Sequence, residues 1–202
     1  MSQRNGLLWL LVAGTFAAVS CSTPRTHYYT MEFPHTPPAA APVVACQIAV
    51  QPFRTDQAFA DERIAFHENQ NEVNHYEYQR WAGRPGDLVT DYFLHRLKDS
   101  GVYAGVSAYK EGPAADFILQ GWIHRFEEVD RGKEVSASVD LELELLNGKT
   151  RASLWRSEAE CTKPLASRDM AGVTQVIHAC LEETAGKLLS EMHGQIEKSA
   201  TR

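Results

Sequence analysis

The residues best suited to binding a metal ion form two groups. In the first, His67 and His75 flank the polar run Glu68–Glu72 and would lie diagonally on two neighbouring strands. Two histidines on a polar hairpin are more often hydrated surface residues than ligands, because a metal site needs several ligands that converge. We therefore predict no metal site on this segment.

The second group is Cys161, His178 and Cys180, which offers thiol and imidazole ligands of the kind that zinc prefers. Only three ligands are present, and their spacing matches no familiar zinc motif. The sequence also lacks the nucleophile elbow, the P-loop, the dinucleotide-binding glycines and the zinc-protease motif. We predict no catalytic residue, no metal and no cofactor, and hence a protein that is not an enzyme.

Cys21 is the residue with the clearest predicted chemistry. It follows Ala18-Val19-Ser20 at the end of an apolar run that begins just after Arg4. This run has ~13–15 apolar residues, too few to span a membrane, and is typical of a secretory signal peptide. Its end resembles the lipobox of bacterial lipoproteins, in which diacylglycerol alkylates the thiol and cleavage makes the cysteine the acylated amino terminus. An ordinary signal peptide that happens to contain a cysteine is the alternative.

The lipobox has consequences for where the protein lies. Acyl chains on Cys21 would anchor the mature protein in a membrane, because each buried CH₂ group contributes about 0.8 kcal/mol. Ser22, rather than Asp, follows the cysteine. By resemblance to the sorting of enterobacterial lipoproteins, this implies the outer membrane, with the domain facing the periplasm.

Three further cysteines remain in the exported part of the chain. The bacterial periplasm is oxidising, so pairing is expected there. We predict a disulfide between Cys161, at the end of a strand, and Cys180, within a helix, with Cys46 buried as a small apolar residue. A disulfide between Cys46 and Cys161 stays open as the alternative, since sequence alone does not settle connectivity.

Composition limits the classes of protein that the chain can be. It has 202 residues, of which 44% are hydrophobic and 23% charged, with a formal net charge of −6. This length suits one domain with a buried core. The acidic balance argues against a nucleic-acid partner, which requires a basic surface to neutralise phosphates.

Four segments are predicted along the chain. Residues 1–20 form the signal peptide, and residues 21–45 form a lipidated, Pro-rich linker in which Tyr28–Phe33 is a short strand. Pro-rich sequence cannot sustain a helix or a central strand. Residues 46–197 form the domain, and residues 198–202 are a tail.

Hydrophobic periodicity predicts the elements of the domain. Apolar residues at helical spacing predict amphipathic helices over about 86–99 and 169–197, the second capped by Asp169. The strands between them alternate apolar and polar residues, and Asn147-Gly148 predicts a hairpin turn. We predict an α+β fold, a two-layer sandwich of a mostly antiparallel sheet with both helices on one face.

Aromatic residues concentrate on the strand that precedes the first helix. Tyr76, Tyr78 and Trp81 lie there with Arg80, and Trp122, Phe126 and Trp155 lie on later strands. Packing within the core and the sheet is the simpler interpretation of these residues. Exposed aromatic clusters also mark interaction sites, so a docking surface is the alternative.

One stretch of the chain resembles a known family. It begins at Arg63-Ile64-Ala-Phe, continues through Asn71-Glu72-Val-Asn-His-Tyr76-Glu-Tyr78-Gln-Arg80-Trp81-Ala and ends at Leu88-Val-Thr. The family is the ABC-type transport auxiliary lipoproteins, or PqiC-like proteins. Tyr28-Tyr29-Thr30-Met31 and Ser100-Gly101-Val102-Tyr103 fit the same family. The similarity covers most of residues 28–195.

This resemblance implies a function and partners. Family members are outer-membrane lipoproteins encoded with an ABC permease, an ATPase and an MCE-domain protein, which together are thought to move lipids between the two membranes. It implies a non-catalytic subunit that docks the periplasmic machinery to the outer membrane through contacts with the MCE protein. Tyr76, Tyr78, Arg80 and Trp81 match the family motif and are the predicted partner-binding residues. A stand-alone lipoprotein that binds a lipid or another ligand is the alternative function, and it requires a deep apolar cavity between sheet and helices.

Overall fold

A computed structural model describes residues 24–31, 44–69, 71–110, 114–132 and 134–200 of the chain. In this described part, nine strands and two α-helices follow one another in the order β1 (His27–Tyr29), β2 (Val44–Val50), β3 (Arg54–Thr55), β4 (Arg63–Asn69), β5 (Glu72–Trp81), α1 (Pro85–Ser100), β6 (Tyr103–Ala108), β7 (Phe117–Asp130), β8 (Val135–Asn147), β9 (Ser153–Pro164) and α2 (Met170–Ala200). A short 3₁₀ helix, Gln57–Phe59, lies between β3 and β4.

The sheet is organised around β7. One edge of β7 pairs antiparallel with β8 along its full length, from Phe117 opposite Asn147 to Asp130 opposite Val135. Its other edge pairs in turn with β2, β3 and β4, all parallel. β9 pairs antiparallel with β8, and β5 with β4, while β6 and β1 lie outside β2 and β5.

The predicted α+β class is confirmed, and the sheet is mixed. The long pairings β7–β8, β8–β9 and β4–β5 are antiparallel, whereas the parallel pairings are short. The short parallel strands arise because β2, β3 and β4 divide one edge of β7 between them. This division separates the sheet into two arms that share β7.

The core lies between the sheet and the helices. Alternate residues of β8 are fully buried, and opposite them α2 buries its own apolar stripe. These residues are Val139, Leu141, Leu143, Leu145, Ile177, Leu181 and Leu188. Each buried aliphatic side chain of this kind stabilises the fold by about 1.5–3 kcal/mol.

The first helix begins and ends one residue outside the predicted range. Pro85 occupies its first turn, where the missing N–H is not needed. At the other end, Gly101 has φ of 62° and its N–H donates to the Lys98 carbonyl. This left-handed conformation is the one that glycine adopts without strain.

The second helix is stabilised at its amino end by the predicted cap. The Gly172 N–H donates to Asp169 Oδ1 at 2.8 Å, which satisfies one of the amide groups left free in the first turn. The helix extends to Ala200, beyond the predicted end at 197. The two helices meet where the rings of Tyr92 and His178 lie 6.5 Å apart. Neither described helix has the length and apolar character required to cross a membrane.

The turn between β8 and β9 is longer than a two-residue hairpin. Asn147 ends β8 and Ser153 begins β9. Arg151, not Gly148, adopts the left-handed conformation, with φ of 62°. Gly148 serves a steric purpose instead, since a Cβ there would lie 1.8 Å from the Ala115 carbonyl oxygen.

Part of the predicted linker belongs to the sheet. β1 pairs with β5, and the Ala82 N–H donates to the Tyr29 carbonyl at 2.7 Å. Met31 is 5% exposed and packs in the core. Phe33 and residues 34–43 of the predicted linker lie outside the described residues, as do the predicted signal peptide and Cys21.

Candidate interaction surfaces

The four predicted partner-binding residues all lie on β5, but in different environments. Trp81 is 1% exposed, and its ring lies 5.2 Å from that of Phe126 in the core. Its backbone N–H donates to the Glu62 carbonyl at 2.7 Å. Trp81 therefore holds the sheet together and offers no surface to a partner in this conformation.

Tyr76 is half-buried and fixed by two contacts. Its hydroxyl donates to Glu128 Oε2 at 2.9 Å, and its ring lies 4.5 Å from the ring of Phe66. Glu128 is only 4% exposed, and burial raises the pKa of its carboxyl. Tyr76 thus stabilises a buried carboxyl group, and only part of its ring can reach a partner.

Tyr78 and Arg80 are both partly exposed. Arg80 is the direct neighbour of Tyr28 on β1, whose side chain is 65% exposed. Tyr78 lies two residues before Arg80 on the same strand. Tyr28, Tyr78 and Arg80 form what we call the β1–β5 patch. Tyr28 is not among the predicted partner-binding residues, and the Tyr28-Tyr29 pair was the signal for it in the sequence.

The structure places two of the three described cysteines side by side. Cys161 on β9 and Cys180 on α2 are both buried free thiols, and their Sγ atoms lie 2.6 Å apart. Burial raises the pKa of Cys180 to about 12. A disulfide between them stays a prediction.

The alternative pair, Cys46 with Cys161, is wrong. Cys46 lies on β2, and both β7 and β8 separate β2 from β9. Since neighbouring strands are about 4.8 Å apart, the two residues are well beyond the Cα separation that a disulfide allows. Cys46 is buried, and burial raises the pKa of its thiol to about 11.

The histidines considered as metal ligands bind protein groups instead. His67 Nδ1 donates to Glu127, and His75 Nε2 donates to the Ala58 carbonyl at 2.8 Å. His178 contacts the ring of Tyr92. Within the described part of the chain, no group of three or more His, Cys, Asp or Glu residues is placed to hold a metal ion.

Two buried acids at the end of β7 were missed by sequence analysis. Glu127 is 3% exposed and pairs with His67, while Glu128 pairs with Tyr76. Burial raises the pKa of both carboxyls. The available signal was the pair of acids that directly follows Phe126 within a predicted strand. An open cleft of about 540 Å³ lies beside Glu127 and also contains Arg125 and Arg131.

A cationic cleft lies at the opposite end of β7. Lys110 Nζ and Arg151 Cζ lie 5.5 and 5.3 Å from the centre of the Tyr109 ring, within the range of cation–π contact. Lys149 lines the same cleft, whose volume is about 330 Å³. Lys110 and Arg151 both have positive φ, 70° and 62°, which is unusual for residues with side chains. We call these four residues the cationic cleft.

None of the three cations of the cationic cleft forms an ion pair with another described residue. Asp116 is the acid that shares the cleft, and its Oδ2 accepts the Gln47 N–H at 2.9 Å. Ala49 and Ile118 also line the cleft, and with Leu146 they form a small apolar cluster. An anionic group is the chemistry that this arrangement can accept.

Comparison with known proteins identifies the family and the fold. The family model for the ABC-type transport auxiliary lipoprotein component matches residues 29–188. No curated protein sequence matches the chain. The structure is similar to a Xanthomonas campestris protein of the DUF330 family, with a TM-score of 0.77 and 21% identity, covering 87% of this chain and 100% of that one.

Two further solved structures share the fold. An uncharacterized protein matches with a TM-score of 0.66 and 10% identity, covering 84% of this chain and 99% of that one. A hypothetical protein from Chlamydia trachomatis matches with a TM-score of 0.50 and 10% identity, covering 76% of this chain and 98% of that one. At such low identities these similarities concern the fold alone.

Proposed function

The chain belongs to the family of ABC-type transport auxiliary lipoprotein components, and from this premise we propose that it is a non-catalytic outer-membrane lipoprotein subunit of an MCE-type lipid transport system. In this role it docks the periplasmic part of the machinery, the MCE-domain protein with its ABC permease and ATPase, to the outer membrane. The acyl anchor is Cys21, and the domain faces the periplasm.

The observation that carries this proposal is the extent of the family match. It runs from Tyr29, the last residue of β1, to residue 188 in α2, and so takes in strands β2 to β9, all of α1 and more than half of α2. The family is described as a transport component and not as an enzyme. The cleft beside the His67–Glu127 pair has no Ser, Thr, Cys or Tyr among the described residues that line it.

The β1–β5 patch supports a docking role. It combines an exposed tyrosine, a partly exposed tyrosine and an arginine, and these two residue types are enriched at protein interfaces. It lies at the edge of the sheet, where β1 is only three residues long. A partner strand or helix can approach such an edge without disturbing the core.

Crosslinking in cells tests this function. The experiment captures the chain from cells and measures recovery of the MCE protein encoded beside it. We expect the double variant Tyr78→Ala/Arg80→Ala to reduce recovery several-fold. The matched control is Lys98→Ala/Lys187→Ala, which removes exposed side chains from α1 and α2. Equal recovery of the MCE protein with both double variants would argue against the β1–β5 patch, and no recovery with the wild type would argue against the docking function.

The alternative, a stand-alone lipid-binding lipoprotein, has less support. Four clefts lined by described residues have volumes of about 170–590 Å³, and none of these four is lined by a residue of α1 or α2. They do not correspond to the deep apolar cavity between sheet and helices that this function requires. Mass spectrometry of lipid extracted from the purified protein distinguishes the two functions, because a stand-alone carrier retains stoichiometric lipid.

A further inference from the structure

The distance from Cys21 to the sheet limits how the domain can sit on a membrane. The first strand residue is His27, six residues after Cys21. A fully extended chain spans at most about 3.6 Å per residue, so this tether reaches no more than about 22 Å. Such a tether holds β1 close to the lipid surface.

The strand register shows where β1 lies along the length of the sheet. Tyr28 is the neighbour of Arg80, and Arg80 is the neighbour of Arg63. Two residues further along β4, Ala65 is the neighbour of Glu127. β1 is therefore level with the part of β7 about two residues before Glu127.

The two ends of β7 lie at different distances from this level. Its end at Asp130 is about five residues away, or about 17 Å at 3.3 Å per residue. Its start at Phe117 is about eight residues away, or about 26 Å. The β8–β9 turn lies beyond that start, because Phe117 pairs with Asn147 at the end of β8.

We infer that the tether fixes the orientation of the domain, with the hairpin end beside the membrane and the cationic cleft facing away from it. The hairpin end consists of the β4–β5 turn, with Asn69, Asn71 and Glu72, and the β7–β8 turn, with Asp130 and Arg131. This inference rests on the proposed anchor at Cys21. In the inverted orientation, the β8–β9 turn would touch the lipid and β1 would lie more than about 26 Å from it, beyond the reach of the tether.

The direction of β1 supports the same orientation. β1 runs parallel to β5, and β5 runs from the hairpin end at Glu72 towards Trp81. The chain therefore enters β1 from the side of the hairpin end. Cys21 precedes β1 in the chain, so this direction agrees with an anchor on the side of the β4–β5 turn.

The charges at the hairpin end do not attract it to the membrane. The effect of the tether on the orientation can therefore be tested separately from electrostatic attraction. The hairpin end carries Glu68, Glu72, Asp130 and Glu134, with Arg131 among them. An acidic surface has no electrostatic attraction to a membrane that contains anionic lipid. The tether alone therefore holds the hairpin end near the lipid, by raising its effective concentration there.

The orientation also determines how far the partner-binding surface on β5 and the cationic cleft lie from the membrane. Tyr76 and Glu128 lie towards the hairpin end, so a partner bound on β5 would be brought close to the lipid surface. The cationic cleft, on the other hand, points into the periplasm. It is available there to an anionic group that does not belong to the anchoring membrane.

Fluorescence quenching by lipid-bound nitroxide tests the orientation. The full chain, lipidated in cells, is reconstituted into phosphatidylethanolamine–phosphatidylglycerol vesicles that contain a nitroxide-headgroup lipid. A fluorescent unnatural amino acid replaces either Asn71, at the hairpin end, or Lys149, in the cationic cleft. We expect quenching at position 71 to exceed quenching at position 149 several-fold. Equal quenching, or stronger quenching at position 149, would overturn the orientation.

A longer tether is the matched control. Insertion of a flexible Gly/Ser segment of about 15 residues between Thr23 and Pro24 lets the chain reach either end of the sheet. The difference between the two positions should then largely disappear, whereas a difference that persists would contradict the role of the tether. If the wild-type protein fails to float with vesicles, the anchor proposal fails. Coupling the Cys21 thiol to a maleimide lipid then still tests the orientation with the same two labels.

Discussion

The Sγ atoms of Cys161 and Cys180 lie 2.6 Å apart, and this contact joins the outermost strand of the β7–β8–β9 arm to the middle of the long helix α2. Both side chains are buried, and Cys180 Sγ also lies 3.8 Å from the Ala137 carbonyl oxygen. The pair therefore connects the two layers of the sandwich at the centre of the core.

We expect Cys161 and Cys180 to form a disulfide in the exported protein. The two thiols would lose two protons and two electrons to a disulfide-bonded oxidant, which is thereby reduced to a dithiol. A bond that closes a loop of this size stabilises a fold by about 3 kcal/mol, so Cys180→Ser should lower the midpoint of denaturant unfolding. Peptide mapping without reductant checks the pairing, and Cys46→Ser is the control. A free Cys180 thiol in protein purified from the periplasm would contradict the disulfide.

We expect Cys21 to carry the lipid anchor. Metabolic labelling with palmitate should mark the wild type and not Cys21→Ala, because that variant lacks the thiol that is alkylated. Cys46→Ala is the control and should be labelled as the wild type is. Label on Cys21→Ala would show that the lipid is attached elsewhere.

We expect Trp81→Ala to destabilise the fold rather than to remove a contact with a partner. Removal of a fully buried aromatic side chain costs about 3–5 kcal/mol, and Trp81 is 1% exposed against Phe126. Urea unfolding monitored by circular dichroism measures this change in the free energy of unfolding. The exposed-surface control Tyr78→Ala should change it by less than about 1 kcal/mol. A Trp81→Ala protein of normal stability would show that the ring is not part of the core.

We expect Glu128→Gln to change how stability depends on pH. Burial raises the pKa of the Glu128 carboxyl above its ordinary value. A buried acid of this kind binds its proton more tightly in the folded state. The free energy of unfolding therefore falls as pH rises from the ordinary carboxyl pKa through the raised pKa.

The amide of Gln carries no charge and its oxygen can still accept the hydrogen bond from Tyr76, so this loss of stability should be reduced. Thermal unfolding measured at pH 4.5 and at pH 7 checks the prediction. Glu128→Gln should raise Tm more at pH 7 than at pH 4.5, whereas the surface variant Asp91→Asn should not. The same shift in Tm at both pH values would contradict the assignment to Glu128.

The elements of the fold could be predicted because each depends on residues close together in sequence. Val139, Leu141, Leu143 and Leu145 alternate with polar residues, and all four are buried on one face of β8. Asp169 caps α2 through an amide three residues away, and Gly101 ends α1. Periodicity and capping are local, so the sequence is sufficient for them.

The positions of the site residues could not be predicted in the same way. Alternation on β5 cannot show that Trp81 is buried against Phe126 while Tyr78 remains accessible. That outcome depends on β4, which pairs with β5 in a register that is irregular between Arg63 and Ala65 and pairs with β7 on its other side. Nor could the sequence show that Tyr109, Lys110 and Arg151 meet, because the contact joins two loops separated by two long strands.

The sequence by itself determined the type of the two helices and of the long strands, and it indicated the family. Its motifs also predict the lipid anchor at Cys21. Each of these properties depends on periodicity, capping residues or a motif that lies within a short stretch of the sequence. The tertiary structure alone decided that β7 is shared by two arms, that Cys46 is remote from Cys161, and that β1 lies nearer to the Asp130 end of β7 than to its start. These spatial relationships depend on strand order and register. Strand order and register result from the burial of side chains over the whole sheet, which no local sequence pattern specifies.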